Sequence, residues 1–300
     1  MKRHTASVVF GVFLAVALVA LAAPASAEMY VEGYLGGTAA ANINQAFTIQ
    51  DLRGSSGPGF FNASQDNHLQ FSGTPDPTLL GGLKLGTWFV KEGFAGYSGY
   101  PDWMKYFGFY TDLSFQKLQM RASLNGTSNW KFSFGGVTEA LALDPTITGA
   151  HLNAGEFTSE GFLVTWAFMF AARYGFYPDS EVPFGRLQPY VAVGPAVMFS
   201  SLSSKVNTIL VGGLLHNVQD SYMSGGSQAS TNIALAVDTG IRYMCTKNVS
   251  VDLSFKYRYA QPSYTFSGTD AQILHANPAT YKLNPVYQLF SGELGVAYHF

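Results

Sequence analysis

Apolar residues alternate strictly with small or polar ones through the last fourteen positions of the chain, residues 287–300 (YQLFSGELGVAYHF). The apolar set ends in aromatic side chains and comprises Phe290, Leu294, Val296, Tyr298 and Phe300. The other set places a carboxylate among small residues and comprises Ser291, Glu293, Gly295, Ala297 and His299. A strand directs alternate residues to opposite faces of a sheet. The pattern therefore predicts a strand with one face toward lipid and the other toward a narrow polar interior.

The same alternation recurs in seven earlier segments, and each of the eight has nine to fourteen residues. This is the length with which a tilted strand crosses a bilayer. The segments are residues 29–37, 79–89, 106–116, 160–173, 186–199, 231–244, 249–259 and 287–300. In the seventh segment, Asp252, Lys256 and Arg258 share one face. Three charges on one face cannot meet lipid, so this face is predicted to line the interior.

Two segments depart from simple alternation. Residues 162–172 (FLVTWAFMFAA) are almost continuously apolar, which leaves a buried helix as the competing prediction. The fifth segment contains Pro189 and Pro195, and proline has no N–H to give to a strand ladder. We expect these prolines at a strand start or at a bulge, with a local kink.

Composition favours short alternating strands over helices that span a membrane. Asp, Glu, Lys and Arg make up 12% of the chain, which is about half of the ~25% usual in soluble proteins. After residue 27 no stretch has the length of uninterrupted apolar residues that a spanning helix needs. Cys245 is the only cysteine, so a disulfide within the chain is excluded.

The beginning of the chain has the organisation of a secretory signal peptide. Lys2 and Arg3 precede an apolar run over residues 8–23, and small residues follow at positions 25–27. We predict that residues 1–27 are removed and that residues 28–300 form one barrel domain; a retained amino-terminal anchor is the alternative. Removal takes two of the 17 basic residues and leaves 15 against 19 acidic ones, a net charge of −4. This mild charge predicts no nucleic-acid partner.

The connections between the eight segments differ in length. The long ones are residues 38–78, 117–159, 200–230 and 260–286. Residues 174–185 and 245–248 are shorter. Since transmembrane barrels have long outer loops and short turns on the periplasmic side, both termini are predicted at the periplasmic side. Residues 90–105 exceed the length of a turn, and a short interfacial helix or an aromatic flap anchored by Trp103 and Tyr106 is expected there.

This organisation resembles the eight-stranded outer membrane β-barrel family, which includes the transmembrane domain of outer membrane protein A and the opacity-type surface proteins. The resembling residues are the leader, the terminal Phe300, residues 80–86 (LGGLKLG) and residues 186–195 (RLQPYVAVGP). The resemblance implies an all-β, closed, antiparallel barrel of eight strands in the outer membrane, with long extracellular loops. It also implies insertion by the outer-membrane assembly machinery, with Tyr298 and Phe300 in the recognition strand. It implies no particular activity.

The charged residues that face inward in these segments nearly cancel. The acids are Glu32, Asp112, Asp238, Asp252 and Glu293, and the bases are Lys84, Arg173, Arg186, Arg242, Lys256 and Arg258. The lumen of an eight-stranded barrel is just wide enough for side chains, and an unpaired buried charge is costly. The sequence therefore predicts a paired network that plugs the barrel, and a proton or ion path is the alternative.

A lipid-modifying site of the deacylase type would require a serine two residues after a histidine near the chain end. His299 is followed by Phe300 alone, so this pattern is absent. Ser291 and Glu293 share a strand with His299, but at ~3.3 Å per residue Glu293 is about 20 Å away along it. These three residues cannot form a triad with each other. Partners for His299 from adjacent strands remain open.

Four histidines fall one in each long connection: His68, His151, His216 and His275. Imidazole is a good ligand for zinc or copper, but no two of these residues have ligand spacing with a cysteine or a carboxylate pair. No metal and no cofactor is predicted.

The sequence thus predicts an outer membrane barrel with a structural or surface-interaction role and without enzymatic activity. Membrane lipid surrounds its wall, and the outer loops are the expected contact for an extracellular ligand. A narrow pore for small solutes or ions is the first alternative. A lipid-modifying enzyme is the second.

Overall fold

The computed structural model describes residues 28–55, 61–89, 101–134, 151–211, 218–268 and 279–300, so the predicted signal peptide lies outside it. Twelve strands account for most of these residues. They are β1 Glu28–Ala40, β2 Ile43–Ser55, β3 Phe61–Gly73, β4 Thr78–Trp88, β5 Phe107–Phe134, β6 His151–Arg173, β7 Leu187–Val211, β8 Val218–Met244, β9 Val249–Ala260, β10 Tyr264–Gly268, β11 Ala279–Leu283 and β12 Tyr287–His299. A short 3-10 helix occupies Asp102–Tyr106. Within the described ranges, no helix has the length and hydropathy needed to cross a membrane.

Eight of the strands form a closed ring. Hydrogen bonds link them in the order β1, β4, β5, β6, β7, β8, β9 and β12, and β12 pairs with β1. Every one of these pairings is antiparallel. The predicted fold class, an all-β antiparallel barrel of eight strands, is confirmed. A closed ring leaves no edge free for pairing with other chains.

The strand β9 shows why this ring has an apolar wall and a charged interior. Leu253 and Phe255 are 63% and 50% exposed on the outer face, whereas Asp252 and Lys256 are each 1% exposed on the inner face. The apolar run 162–172 belongs to β6 and alternates in the same way, so the competing helix prediction is wrong. An apolar wall around a charged interior is the architecture of a transmembrane barrel.

The polarity of the two faces reverses part-way along β5. As far as residue 116, the inner face carries polar residues such as Asp112 and the outer face apolar ones such as Leu113. From Lys117 onward the outer face is polar, and the inner residues Leu118 and Leu124 are buried and apolar. The pairing with β6 keeps one register across this point. The strand therefore leaves the apolar layer without ending.

The neighbouring strands reverse at the same level. On the outer face of β6, Glu160 precedes Phe162, and on that of β7, Ser201 follows Phe199. Phe162 pairs with Ser201, and Phe199 pairs with Thr231 of β8. The reversal therefore forms a band around this side of the barrel. We call the part with the apolar wall the lower tier and the part with the polar wall the upper tier.

Four shorter strands complete the wall of the upper tier beside the upper halves of β5, β6, β7 and β8. β3 pairs with β5, β2 with β3, and β11 with β2. β10 pairs with β11 and contacts β8. The connections predicted as loops, residues 38–78, 117–159, 200–230 and 260–286, therefore contain strands, which corrects their prediction. Their alternation has reversed polarity because their outer face meets water.

The wall strands on one side of the barrel are interrupted at the boundary between the tiers. Residues 41–42 separate β1 from β2, 74–77 separate β3 from β4, 261–263 separate β9 from β10, and 284–286 separate β11 from β12. Three of these four breaks contain proline, which cannot donate to a ladder. β5, β6, β7 and β8 pass the boundary unbroken.

The two prolines of β7 behave differently from each other. The first is the third residue of the strand, as expected of a strand start. Pro195 lies in the interior, yet the register with β6 is the same on both sides of it, with Ala167 opposite Ala196 and Phe170 opposite Val193. The predicted bulge at Pro195 is therefore wrong. Its ring lies on the exposed outer face, where it does not disturb the lumen.

Candidate functional site: the charged lumen

Ten of the eleven predicted lumen charges are buried in the lower tier, each at most 3% exposed. They are Glu32, Lys84, Asp112, Arg173, Asp238, Arg242, Asp252, Lys256, Arg258 and Glu293. Seven of the eight wall strands contribute to the set, all except β7. The inward parity of each strand places these side chains together.

Lys84 of β4 lies among three carboxylates. Its Nζ is 3.2 Å from Glu32 Oε1, 3.2 Å from Asp238 Oδ2 and 3.8 Å from Glu293 Oε2. The centre of the Tyr34 ring is 5.2 Å from the same ammonium. One cation thus compensates carboxylates from three strands.

Lys256 of β9 joins the other side of the lumen. Its Nζ is 2.5 Å from Asp112 Oδ2 and 2.8 Å from Glu293 Oε2. Because Glu293 also approaches Lys84, the two ammonium groups share one carboxylate. The network is therefore continuous between β4 and β9.

Arg242 of β8 extends the network toward the end of the barrel at which β1 begins and β12 ends, which we call the terminal end. Its Nη2 donates to Glu32 Oε2 at 2.6 Å, and its Nε lies 3.3 Å from Asp252 Oδ2. The guanidinium carbon stands 4.2 Å from the centre of the Tyr30 ring. Cation–π contact of this kind adds to the stabilisation of a desolvated cation.

Three inward tyrosines donate to three of the carboxylates. The hydrogen bonds run from Tyr34 to Asp112 at 2.5 Å, from Tyr110 to Asp238 at 2.8 Å and from Tyr190 to Asp252 at 2.8 Å. The sequence prediction listed charges alone and missed these hydroxyls. The alternation of their segments places Tyr34 and Tyr110 on the inner face. This is the signal that would have identified them. They matter because the connected set holds five carboxylates and three cations.

Arg258 of β9 forms a separate polar layer above this set. Its Nη1 donates to Ser114 Oγ at 3.1 Å, and its Nη2 donates to Gln116 Oε1 at 2.7 Å and to Ser291 Oγ at 2.8 Å. Among the described residues no carboxylate forms an ion pair with it. A buried guanidinium surrounded by neutral oxygens closes the lumen at the level of the tier boundary.

Arg173 of β6 closes the lumen at the terminal end. Its guanidinium lies between the rings of Trp88 and Phe184, with its carbon 4.1 Å from each centre. Both Nη groups donate to the carboxylate of Glu28. Gln188 Oε1 accepts a further hydrogen bond at 2.9 Å. Glu28 was not among the predicted acids, because its position at the start of β1 hides its parity.

Arg186 is the exception, and its placement corrects the sequence prediction. It precedes β7 and lies in the turn between β6 and β7, where it binds Asp179 and Glu181 rather than lumen acids. Hydrogen bonds from the Val182 N–H and from Arg186 hold the pKa of Asp179 below its ordinary value. The same carboxylates raise the pKa of Arg186. Arg186 also donates to the Cys245 carbonyl at 3.0 Å, which joins this turn to the turn between β8 and β9.

A second cluster lies at the mouth of the terminal end, where the ends of β1, β9 and β12 meet. Ser250 Oγ and His299 Nε2 are 2.9 Å apart, and both residues are buried. His299 Nδ1 lies 4.0 Å from Glu28 Oε1. The imidazole packs on Tyr30, with ring centres 5.5 Å apart. The sequence left open which residues of adjacent strands contact His299. The strand register places Ser250, Glu28 and Tyr30 beside it.

The interior of the upper tier is apolar and aromatic. Phe71 and Phe157 stack with ring centres 4.4 Å apart, and Tyr281 lies 5.5 Å from Phe47. The Tyr281 hydroxyl and Ser204 Oγ are 2.5 Å apart inside this core. Burial raises the pKa of Tyr281 to about 12, so the phenol is neutral in this core. The lumen is thus filled by charges below and by rings above.

The predicted assembly residues lie on the outer face at the terminal end. Tyr298 and Phe300 are 49% and 38% exposed, and their rings meet edge to face at 5.2 Å. Trp103 of the 3-10 helix meets Phe107 in the same manner at 5.8 Å, and Tyr106 stacks on Tyr174 at 5.7 Å. The helix matches one of the two expectations for this connection, whose residues 90–100 lie outside the described ranges.

Two of the four predicted loop histidines lie in the part of the chain that the structure describes, and the registers of β3 and β6 with β5 set both opposite Thr127. His68 is exposed on β3 beside Thr48, His151 is the first residue of β6, and His216 and His275 lie outside the described residues. The described residues contain no group of three His, Cys, Asp or Glu residues arranged to hold a metal ion.

The chain has the fold of an eight-stranded transmembrane β-barrel. No family model matches it, and no curated protein matches it. It is similar to neisserial surface protein A, with 15% identity, a TM-score of 0.30 and coverage of 91% of this chain and 97% of that one. It is also similar to outer membrane protein OprG of Pseudomonas aeruginosa, with 13% identity, a TM-score of 0.35 and coverage of 92% of this chain and 97% of that one. The similarity to the outer membrane protease OmpT of Escherichia coli has 10% identity, a TM-score of 0.26 and coverage of 91% of this chain and 97% of that one.

Proposed function

We propose that the protein is an outer membrane barrel whose lumen is plugged and whose upper tier is a rigid platform for interactions at the cell surface. The single observation that carries this proposal is the continuity of β5, β6, β7 and β8 through both tiers. A wall that crosses the boundary without a break transmits the anchoring of the lower tier to the upper one.

The length of the unbroken strands sets the height of the platform. β5 continues from the reversal at Lys117 to Phe134. Eighteen residues at ~3.3 Å each, tilted by about 40°, rise about 45 Å above the apolar belt. The residues between β2 and β3, β5 and β6, β7 and β8, and β10 and β11 all follow the distal strand ends. Partners that approach from outside therefore meet the distal ends of these strands first.

The packed interior favours a structural role over the conduction of solutes. Along the axis a solute would pass the Arg173 layer, the carboxylate network, Arg258 and the ring stack around Phe157 in turn. An eight-stranded lumen has room for side chains alone. Opening it would separate paired charges in a low-dielectric interior, which costs several kcal/mol.

Planar-bilayer recording of the folded full chain tests the plug. We expect no steady conductance from the wild-type protein. The variants Lys256→Ala and Glu293→Ala remove one partner each from the network, and Lys205→Ala on the outer wall of the upper tier is the matched control. Steady conductance of the wild type that Lys205→Ala leaves unchanged and the two network variants alter would replace the plug by a narrow pore.

An epitope inserted at residues 56–60, between β2 and β3, tests the platform. We expect antibody to bind it on intact cells, because this connection follows the distal ends of both strands. The same epitope between Thr246 and Lys247, in the turn before β9, is the control and should bind antibody after cell lysis alone. The reverse pattern would overturn the proposed orientation and with it the surface role.

A further inference from the structure

The mouth of the terminal end holds a serine, a histidine and a carboxylate in sequence, each from a different strand. Ser250 of β9 lies 2.9 Å from His299 Nε2 of β12, and His299 Nδ1 lies 4.0 Å from Glu28 Oε1 of β1. Neither Ser250 nor His299 belongs to the lumen network. Nothing in a plugged platform requires a serine hydroxyl paired with an imidazole in this order.

We propose that Ser250 is a nucleophile activated by His299, with Glu28 as the positioning residue, and that the site accepts acyl groups from small esters. A nucleophile within hydrogen-bond reach of a base, with the base oriented by a third group, is the general signature of covalent catalysis by serine. The inference goes beyond the proposed surface role and lies at the opposite end of the barrel.

The proposed chemistry needs one tautomer of the His299 imidazole. To take the proton of Ser250, Nε2 must be unprotonated, and Nδ1 then carries the hydrogen. Nδ1 faces the carboxylate of Glu28, which favours that tautomer. Arg173 holds this carboxylate through both of its Nη groups. The separation of 4.0 Å is a resting distance of the kind that shortens in a substrate complex.

Two buried N–H groups at the same mouth have no acceptor among the described residues. They are Nε1 of Trp88 and Nε of Arg173. Trp88 pairs with Glu28 in the register of β1 and β4, and its ring contacts the Arg173 guanidinium. Buried N–H groups seldom lack a partner. Donors of this kind are suited to a carbonyl oxygen that develops negative charge.

The closure of the site restricts the size of the substrate. Ser250 and His299 are 0% and 2% exposed, whereas the side chain of Glu28 is 25% exposed. Of the three side chains only that of Glu28 meets solvent, and the Tyr30 ring lies tilted against His299 at 5.5 Å. This small exposed area favours short acyl esters over long acyl chains.

The reaction follows from these roles. Ser250 Oγ attacks the ester carbonyl carbon, and its proton passes to His299 Nε2. The tetrahedral intermediate collapses as the carbon–oxygen bond to the alcohol breaks, and His299 returns the proton to the departing alkoxide. Water then attacks the acyl-serine by the same proton path, releases the carboxylic acid and restores the hydroxyl.

A small dialkyl fluorophosphate tests the nucleophile, because an activated serine forms an Oγ–phosphorus bond and releases fluoride. The probe is applied to the folded full chain, and the adduct is located by mass spectrometry. We expect one adduct at Ser250, its loss in Ser250→Ala, and formation about a hundredfold slower or more in His299→Gln. Ser254→Ala is the matched control from the same inner face of β9 and should label as the wild type does.

Two results would overturn the assignment of Ser250. One is a folded wild-type protein, verified by heat-dependent gel mobility, that forms no adduct at this residue. The other is an adduct that persists at the wild-type rate in Ser250→Ala. If Ser250→Ala does not fold, Ser250→Cys in a Cys245→Ser background keeps the size of the side chain. Alkylation of that thiol must then fall at least tenfold when His299→Gln is added, and an unchanged rate overturns the proposal.

Hydrolysis of p-nitrophenyl acetate tests the part of Glu28. In Glu28→Gln we expect kcat to fall about tenfold or more while KM is unchanged, since the acid orients the base and does not touch the ester. Glu28→Asp should recover part of the rate. A kcat equal to that of the wild type in Glu28→Gln would remove Glu28 from the site.

Discussion

Lys256 of β9 places its Nζ 2.5 Å from Asp112 Oδ2 of β5, on the far side of the lumen, and 2.8 Å from Glu293 Oε2. The ammonium thus ties two carboxylates that would otherwise repel each other. In Lys256→Ala both remain buried without this cation, and we expect unfolding free energy to fall by about 3–5 kcal/mol. Urea titration of the barrel in liposomes, followed by tryptophan fluorescence, measures the change. Lys205→Ala, on the exposed wall of the upper tier, should stay within about 0.5 kcal/mol of the wild type.

The core of the upper tier should depend on its rings as a soluble protein does. Phe157 is 0% exposed and stacks on Phe71, so Phe157→Ala is expected to cost about 3–5 kcal/mol. Protease resistance of the upper tier on intact cells and urea titration measure this cost. Phe170 of the same strand is 63% exposed on the outer wall of the lower tier, and Phe170→Ala should leave the upper tier resistant. Equal sensitivity of the two variants would contradict a packed upper core.

The reversal of polarity on β5 predicts where the wall enters water. In a Cys245→Ser background, Gln119→Cys and Leu113→Cys place a thiol on the same outer face on either side of the boundary. A water-soluble maleimide on intact cells should label Gln119→Cys and leave Leu113→Cys unlabelled. Labelling of both positions to the same extent would show that the boundary does not lie between them.

The turn that contains Asp179 should loosen in acid. Asp179 Oδ1 accepts the N–H groups of Glu181 at 2.9 Å and Val182 at 2.7 Å, and its pKa is lowered by these bonds and by Arg186. A lowered folded-state pKa gives stabilisation that is present above the unfolded pKa of about 3.9 and is lost as pH falls through the folded value. Hydrogen exchange at the Val182 amide, corrected for its intrinsic rate, should therefore accelerate in that acidic range. Asp179→Asn should show weaker protection at neutral pH and no such acceleration.

The lower tier could be predicted from the sequence because the two faces of each strand meet chemically distinct surroundings. In β9 the alternation between Leu253 and Asp252 assigns both faces at once. The upper tier could not be predicted by the same rule, since its outer face is polar in water and its inner face apolar. Beyond Lys117 this reversed alternation reads as the end of a spanning strand, although the backbone continues to Phe134.

The members of the charged lumen could be predicted, but their pairing could not. Inward parity is local, whereas the contact of Lys256 with Asp112 depends on the closure of the ring and on the stagger of its strands. The prediction for Arg186 was wrong because alternation no longer indicates the face of a side chain where a strand ends in a turn. The approach of Ser250 to His299 needs the register of β9 with β12, which sets Ser250 opposite Ala297.

The hairpins β2–β3 and β10–β11 leave the membrane ring and rejoin it between strands that are direct neighbours, β1 with β4 and β9 with β12. Each hairpin is therefore an insertion between two strands that are hydrogen-bonded directly to each other in the ring. The pairing of those two strands does not depend on the hairpin. Exchange of such a hairpin would change one flank of the upper tier and leave the lower tier intact. The strands β5, β6, β7 and β8 cannot be exchanged in this way, because an insertion or deletion within one of them would shift its register in both tiers.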